Sequence, residues 1–269
     1  MSQAVLTEHE FNAISDFFFH ASGIRLGANK RSLVAGRLAP RLKARDVPSF
    51  GAYLALILAD DSGMERQLAI DLLTTNETYF FREMRHFTFL TELLHSGWPG
   101  HIPNIWSAAS SSGEEPYSIA MVLAEHLGDS PWQVDATDLS NRMLETANKG
   151  LYPLSRARDM PVALLKKYCL KGFDQFDGYL LVDEALRRRV SFRQHNLMQP
   201  VLTKKKYDVI FLRNVLIYFD AIGKKAIIHH LLQALQPDGY LFVGHSESLN
   251  GISDVLIPVR PAIYRLESR

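Results

Sequence analysis

The chain has 269 residues, of which 47% are hydrophobic and 22% are charged, a composition that supports a packed core and excludes a disordered protein. Its net charge of +1 argues against a protein that mainly coats nucleic acid, and a single cysteine excludes an internal disulfide. No apolar run reaches membrane-spanning length and no signal-peptide pattern opens the sequence, so we expect a cytoplasmic protein without membrane insertion.

Residues 1–75 predict a separate helical domain. Thr7 and Glu10 form a capping box, and apolar residues then recur at helical spacing. The same periodicity returns over residues 29–45 and twice more before residue 75, without the alternation of apolar and polar residues that strands show.

Residues 76–101 are interpreted as a linker with a junction helix, and residues 102–269 as an α/β domain. In the second region apolar runs alternate with helical patterns, which predicts a mostly parallel sheet with crossover helices. The pattern breaks over residues 151–195, where short strands surround a turn between Gly172 and Gly178. We interpret this stretch as a small antiparallel β insertion.

Acidic residues follow the first two predicted strands, where ligands of open parallel sheets bind. A turn of small residues, 108–113, precedes Glu114 and Glu115 at the start of a helix. The turn lacks GxGxxG and any basic residue, so the two acids either complement the helix dipole or mark a ligand that is not a phosphate. Asp138, after the second strand, either accepts from two ribose hydroxyls or caps the next helix.

Two further clusters carry polar residues in apolar surroundings. Arg213 and Asn214 interrupt the strand pattern FLRNVLIYF, which favours a ligand over a turn stabilised by asparagine. The segment LLTTNETYFFRE at the predicted domain junction favours a ligand site over a solvated linker. Its polar residues among the aromatics are Asn76, Thr78 and Arg82.

The spacing of residues in the sequence supports neither a metal site nor a catalytic triad. The ten histidines show no HExxH motif and no CxxC accompanies them, so we predict no metal site. His245 and Ser246 are adjacent in GHSES, but without a GxSxG elbow adjacency does not make a catalytic triad.

Six motifs in order along nearly the whole chain resemble the chemotaxis receptor methyltransferases, which esterify glutamates of bacterial chemoreceptors with S-adenosylmethionine. The motifs are LLTTNETYFFRE, WSAASSSGEEPYSIAM, ATDLS, HNLM, FLRNVLIYF and GYLFVGHSES. The resemblance implies a Rossmann-like methyltransferase domain with a mostly parallel sheet and a small antiparallel insertion, preceded by an all-α domain that docks the substrate. It implies a monomer that produces glutamate methyl esters and S-adenosylhomocysteine without a metal.

The implied cofactor also resolves the question of the two acids, because a sulfonium with an ammonium group and an unphosphorylated ribose suits a carboxylate at the helix start. We expect cofactor contacts from Asn76, Thr78, Arg82, Ala109, Glu114, Asp138, Asn196, Leu197, Arg213 and Asn214. Within the resemblance Arg82 and Tyr218 are the catalytic pair that lines the pocket for the substrate glutamate. The family commonly has Gly and Cys where this chain has Ala109 and Ser110, so the cofactor affinity can differ while the turn should survive.

Two surfaces are candidates for docking the receptor. Residues 30–45 hold six basic residues and no acid, so Arg37 and Arg41 either bind acidic receptor helices or form a solvated face. In the insertion, Gly172 and Gly178 bound a long turn, and Arg187 lies nearby. In some family members this subdomain captures a peptide at the receptor's C-terminus, while the alternative is a hairpin that only covers the cofactor site.

Three other functions remain as alternatives. A methyltransferase for a small carboxylic acid does not need the helical domain, and a cofactor-binding sensor without turnover does not need Arg82 and Tyr218. A nucleic-acid methyltransferase is disfavoured by the near-neutral charge and the lack of an NPPY-like motif.

Overall fold

The computed structural model describes residues 4–201 and 205–267 and contains two compact units. The first consists of the residues up to Thr75 together with Tyr218–Gly223, and the second of Asn76–Ile217 together with the residues from Lys224 onward. Within the described ranges, none of the helices is long and apolar enough to cross a membrane.

The N-terminal part of the first unit is all-α, as the sequence predicted. Its helices are α1 (Glu8–Ser22), α2 (Arg31–Ala44), α3 (Phe50–Leu58) and α4 (Met64–Leu73). The capping box of Thr7 and Glu10 forms at the start of α1, and Gly23 ends that helix in the left-handed conformation with φ of 77°. The apolar positions of α1 that share one face are all buried: Phe11, Ile14 and Phe18.

The second unit is built on a seven-stranded mixed sheet. Its strands are β1 (Ile105–Ala108), β2 (Val134–Asp138), β6 (Val190–Gln194), β7 (Tyr207–Leu212), β8 (Leu235–Val243), β9 (Leu256–Arg260) and β10 (Ile263–Leu266), counting β3 to β5 as the three strands of a smaller sheet described below. The order is β6-β2-β1-β7-β8-β10-β9, parallel from β6 to β8 and antiparallel at β10 and β9. This order confirms the predicted mostly parallel sheet.

Helices cover the sheet, and the central strands are buried along their whole length. Burial on both faces is the usual state of parallel strands, because their crossover helices pack on both sides. The helices of the second unit are α5 (Arg85–His95), α6 (Glu114–Leu127), α7 (Asn141–Lys149), α8 (Val162–Tyr168) and α9 (Glu184–Arg187), and α10 (Ala221–Ala234) begins at the end of the first unit's second segment. The carboxyl ends of β1, β2, β6 and β7 therefore meet at one edge of the sheet.

The smaller sheet is the predicted antiparallel insertion. Its strands are β3 (Leu151–Pro153), β4 (Cys169–Lys171) and β5 (Tyr179–Val182), in the order β3-β5-β4. The insertion was predicted to extend over 151–195, but Val190–Gln194 pairs parallel with β2 in the large sheet. This pairing brings the residues after β6 to the edge where β1 and β2 end.

Candidate cofactor and substrate site

The turn of small residues after β1 lies directly against the end of β2. The main-chain nitrogens of Ala109 and Ser110 donate to the Thr137 oxygen at 2.9 and 2.8 Å, and the Ser111 nitrogen donates to Asp138 Oδ2 at 2.8 Å. The turn is therefore fixed beside Asp138 by three main-chain donors, two of which bond to the Thr137 carbonyl and one to the Asp138 carboxylate.

This turn requires residues in the left-handed backbone region. Gly113 has φ of 97°, and a Cβ there would lie 2.7 Å from Ala147 Cβ and 2.9 Å from Tyr152 Oη, so only glycine fits. Ala109 and Ser111 also have positive φ, of 71° and 48°. A residue with a Cβ pays about 1–2 kcal/mol for that conformation, so the turn survives at Ala109 with strain that glycine would not have.

Replacing Ala109 with glycine is expected to raise the free energy of unfolding by about 0.5–1 kcal/mol, since the released strain exceeds the added backbone entropy of the unfolded chain. Urea unfolding of parent and variant measures the difference. Ala108→Gly is the matched control: Ala108 is fully buried in β1, so this change is expected to lower stability. A variant at position 109 that is less stable than the parent would contradict the strain.

Glu114 and Glu115 have different surroundings at the start of α6. Glu115 accepts from Ser107 Oγ at 2.7 Å and forms an ion pair with Arg213 Nη1 at 2.8 Å, so it has partners within the protein. The Glu114 side chain is 1% exposed, and its Oε2 accepts from Ser112 Oγ at 2.7 Å. Its Oε1 has no hydrogen-bond partner among the described residues, and Arg156 Nε lies 3.8 Å away. Burial raises the pKa of the Glu114 carboxyl.

Asp138 is buried at the end of β2, and main-chain donors fix its carboxylate. Oδ1 accepts from the Ser140 nitrogen at 2.9 Å, in addition to the bond from Ser111 to Oδ2. The N-cap of α7 is Ser140, whose Oγ accepts from the Met143 nitrogen. Asp138 is therefore not the helix cap that the alternative interpretation required.

Asn196 and Leu197 reach the same edge from β6. The main-chain nitrogen of His195 donates to the main-chain oxygen of Asp138 at 3.0 Å, and Asn196 Oδ1 accepts from the Met198 nitrogen at 3.0 Å. Leu197 is buried. The structure thus brings three predicted cofactor segments together: the turn after β1, Asp138, and residues 196–197.

The segment before α5 joins this site through a residue that the sequence did not single out. Arg156 donates through Nη1 to the main-chain oxygen of buried Thr78, and its own oxygen accepts from the Phe80 nitrogen at 2.9 Å. Since Arg156 Nε also lies 3.8 Å from Glu114, Arg156 connects the segment to the cofactor turn. No local pattern marks Arg156, because its partners are far away along the chain.

The other two predicted residues of this segment are half-buried. Asn76 is its first residue in the second unit. Arg82 donates through Nη1 to the Glu77 oxygen at 2.7 Å, and its guanidinium lies 5.8 Å from the centre of the Tyr79 ring.

Arg213 and Asn214 have protein partners at the end of β7. Besides Glu115, Arg213 pairs through Nη2 with Glu83 at 3.0 Å. Asn214 Nδ2 donates to Glu83 Oε1 at 3.1 Å, and the Asn214 nitrogen donates to Glu247 Oε2 at 2.9 Å. These bonds offset the cost of burying the polar groups without a ligand, so the cofactor roles of Arg213 and Asn214 remain predictions.

Tyr218 is half-buried at the end of a single 3-10 turn, Leu216–Tyr218, and belongs to the first unit. Arg37 donates to the oxygens of Leu73 and Thr74, and Arg41 forms a two-pronged ion pair with Glu65. Gly172 and Gly178 flank the turn between β4 and β5, and Arg187 Nε donates to the Val182 oxygen at 3.1 Å.

The cofactor edge fits a ligand that brings hydrogen-bond donors and positive charge. Three buried oxygens there have no hydrogen-bond partner among the described residues: Ser110 Oγ, Ser111 Oγ and Glu114 Oε1. A buried oxygen without a partner costs about 1–3 kcal/mol, more for a charged group, and a donor from a ligand recovers that cost. An ammonium group meets this requirement at Glu114 and a phosphate does not.

Comparison with known proteins gives matches over most of the chain. The family model described as "CheR methyltransferase, SAM binding domain" matches residues 76–263, and "CheR methyltransferase, all-alpha domain" matches residues 9–74. The chemotaxis protein methyltransferase of Salmonella typhimurium is 38% identical over 250 residues, covering 92% of this chain and 86% of that protein. Chemotaxis protein methyltransferase Cher2 of Pseudomonas putida is 40% identical over 258 residues, covering 91% and 92%. Along the sequence, the boundary between the two family models lies between residues 74 and 76, where the N-terminal segment of the first unit ends and the second unit begins.

Proposed function

The chain belongs to the CheR methyltransferase family, with its S-adenosylmethionine-binding and all-α domains, and from this premise we propose that it methylates glutamate side chains of bacterial chemoreceptors. The products are glutamate methyl esters and S-adenosylhomocysteine. The observation that carries the proposal is the buried, unpartnered Oε1 of Glu114, which follows the turn that bonds to Asp138, at an edge that suits a cationic ligand with a free ribose.

The carboxyl edge of the sheet holds the cofactor in this proposal. S-adenosylmethionine supplies a methyl group on a positively charged sulfur, with an ammonium group at one end and adenosine at the other. Glu114 accepts from the ammonium, Asp138 accepts from the ribose hydroxyls, and Asn196 with Leu197 contacts the adenine. The small side chains at 109–112 allow the main chain to approach the ligand closely.

The chemistry required of the protein is positioning. A substrate glutamate is ionised at neutral pH, because its reference pKa is about 4.3, and it needs no general base. Arg82 holds one carboxylate oxygen by charge-assisted hydrogen bonds while the other oxygen attacks in line with the methyl carbon and the sulfur. From the family resemblance, Tyr218 is expected to give the substrate carboxylate one further hydrogen bond.

The proposal is tested with methyl-labelled S-adenosylmethionine and membranes that contain a chemoreceptor. We expect label in the receptor that mild base releases as methanol, since esters are base-labile, and none with membranes that lack the receptor. Label that resists base would contradict an ester, and label transferred to small carboxylic acids at a comparable rate would favour the first alternative. Cofactor binding without any transfer would favour a sensor.

The basic face of α2 is the proposed contact for acidic receptor helices. Arg37 and Arg41 are committed to bonds within the first unit, with main-chain oxygens and with Glu65, so reversing their charge would also destabilise the fold. Lys30 and Lys43 are exposed on the same segment. They are therefore the residues through which the patch is best tested.

Replacing Lys30 and Lys43 together with glutamate is expected to raise the KM for receptor several-fold and to weaken its dependence on salt, because steering by a basic patch is lost. Initial rates at two ionic strengths measure both effects. Lys149→Glu with Lys225→Glu, also exposed, makes the same change of net charge elsewhere and should leave the KM unchanged. An equal rise of the KM in both double variants would favour the alternative that residues 30–45 form a solvated face.

The small sheet is the proposed contact for a C-terminal receptor peptide. Among the described strands, β4 pairs only with β5, so its other edge is available to an extended peptide. A Cβ at Gly172 would lie 2.0 Å from the Phe176 oxygen, so glycine closes the turn. That turn displays Phe173, 77% exposed, and Phe176, 44% exposed, next to Leu170 on β4. Exposed aromatic rings beside a strand edge suit an aromatic peptide. Arg187 bonds to Val182, at the end of β5 opposite to this turn.

Replacing Phe173 and Phe176 with serine is expected to weaken binding of a synthetic aromatic, acidic receptor-tail peptide more than tenfold, because both rings lose apolar contact area. Calorimetry measures the affinity for the peptide and, separately, for S-adenosylmethionine, which should not change. Val162→Ser, at a site 64% exposed on α8, is the control. A parent that fails to bind the peptide, or a variant that binds it equally well, would contradict peptide binding by the small sheet.

A further inference from the structure

Three side chains from distant parts of the sequence converge beside Arg213 and Asn214, where the parallel strands β7 and β8 end. Glu83 precedes α5, His86 lies in its first turn, and His245 follows β8. One ligand atom from each lies within 4.8 Å of the other two, and the described residues contain no other such group of histidine, cysteine and acidic side chains. We refer to these three residues as the His–Glu cluster.

His86 is buried without the partners that a buried imidazole normally has. It is 0% exposed, and neither ring nitrogen has a hydrogen-bond partner among the described residues. Its Nδ1 lies 3.5 Å from Glu83 Oε2, at the limit of a hydrogen bond, and its ring packs edge-on against His245 at 4.9 Å. An unpartnered buried polar group is costly, and a ligand bound by the imidazole would offset that cost.

The distances suit a metal ion. Two ligands that each lie about 2.0–2.1 Å from a tetrahedral zinc are about 3.3–3.4 Å apart. Glu83 Oε2 is 3.5 Å from His86 Nδ1 and 4.0 Å from His245 Nε2, so small side-chain movements close the triangle. We propose that Glu83, His86 and His245 bind a divalent transition metal ion of the zinc class.

Neighbouring groups orient the Glu83 carboxylate and partly neutralise the charge of Arg213. Asn214 Nδ2 and the His245 nitrogen each donate to Glu83 Oε1 at 3.1 Å, which leaves Oε2 directed at the two imidazoles. Arg213 shares Oε2 at 3.0 Å and opposes a second cation there, but it also pairs with Glu115 at 2.8 Å.

A cavity lies beside two members of the cluster. His86 and His245 both line a cavity of about 360 Å³, together with Phe89 and Arg260. The cavity has room for a water molecule as the fourth ligand, as in zinc sites with three protein ligands. A bound ion would tie α5 to the segment after β8 and fix Glu83, the neighbour of Arg82 in sequence.

The experiment uses the full chain without an affinity tag, stripped with a chelator and titrated with zinc against a chromophoric indicator. We expect one ion per chain at micromolar affinity, a rise in Tm with zinc, and at least tenfold weaker binding in His245→Ala. The side chain of His245 is 42% exposed, so this variant should fold. Cobalt should show the visible absorption of a tetrahedral ion in the parent and lose it in the variant.

The matched control is His95→Ala. His95 packs edge-on against His126, with ring centres 4.5 Å apart, and this histidine pair lies outside the cluster. Zinc binding in this variant should equal that of the parent. No zinc binding by the parent at micromolar concentration, unchanged binding in His245→Ala, or an equal loss in His95→Ala would each overturn the proposal.

Discussion

Replacing Arg82 with alanine is expected to reduce the rate of methyl transfer to receptor at least about a hundredfold, while the affinity for S-adenosylmethionine changes by less than about threefold. The guanidinium has five N–H donors, and the Glu77 oxygen takes one through Nη1 at 2.7 Å. In the proposed function, two of the remaining N–H groups donate to the substrate carboxylate and so position the attacking oxygen. Arg82 is also an expected cofactor contact, but it faces the substrate carboxylate more than the cofactor and would repel the positive sulfur, so the effect should fall mainly on transfer.

Single-turnover transfer and calorimetry separate the two effects. Arg158→Ala is the matched control, because Arg158 lies over the face of the same Tyr79 ring at 4.3 Å and has no proposed catalytic role. Tyr218→Phe should lower the rate more mildly, since one hydrogen bond is lost rather than a charge. An equal loss of cofactor affinity in Arg82→Ala would show that Arg82 is a cofactor residue, and an equal loss of rate in Arg158→Ala would indicate a structural effect.

The fold could be predicted where each segment carries its own pattern. The helical region has the capping box of α1 and repeated helical spacing, and the α/β region has apolar strands separated by amphipathic helices. The strand β6 was assigned to the insertion because its sequence, VSFRQ, has no continuous apolar run. It is an edge strand with only Val190 buried, and its pairing with β2 is a non-local contact that no local pattern reveals.

The sequence predicted those parts of the candidate site that directly follow a parallel strand, because ligands bind at the carboxyl ends of such strands. Asp138 and the turn before Glu114 follow from that rule, and the structure places them side by side. The partners of Arg213 did not follow, since Glu83 and Glu115 belong to segments far from it in sequence. Arg156 and the His–Glu cluster were missed for the same reason, because a search for short motifs does not find residues that only the fold brings together.

Replacing Glu114 with glutamine is expected to raise the stability of the free protein and to lower its affinity for S-adenosylmethionine at least tenfold. A buried carboxylate oxygen without a hydrogen-bond partner costs about 1–3 kcal/mol, so removing the charge should increase the free energy of unfolding at pH 7 by about 1–2 kcal/mol. The same change removes the negative acceptor for the cofactor's ammonium, and a charge-assisted hydrogen bond of this kind is worth about 1.5–3 kcal/mol.

The pH dependence of Glu114→Gln distinguishes this explanation from a general effect on packing. Burial raises the pKa of Glu114, so the folded parent binds more protons than the unfolded chain in the range above the ordinary value of 4.5. Stability of the parent should therefore fall as pH rises through that range, and the variant should lack this fall. Asp138→Ala is the contrasting case, because its carboxylate accepts from the nitrogens of Ser111 and Ser140 and its loss should lower both stability and cofactor affinity. Unchanged cofactor affinity in Glu114→Gln would remove Glu114 from the site, and a less stable variant would show that Arg156 at 3.8 Å already compensates the charge.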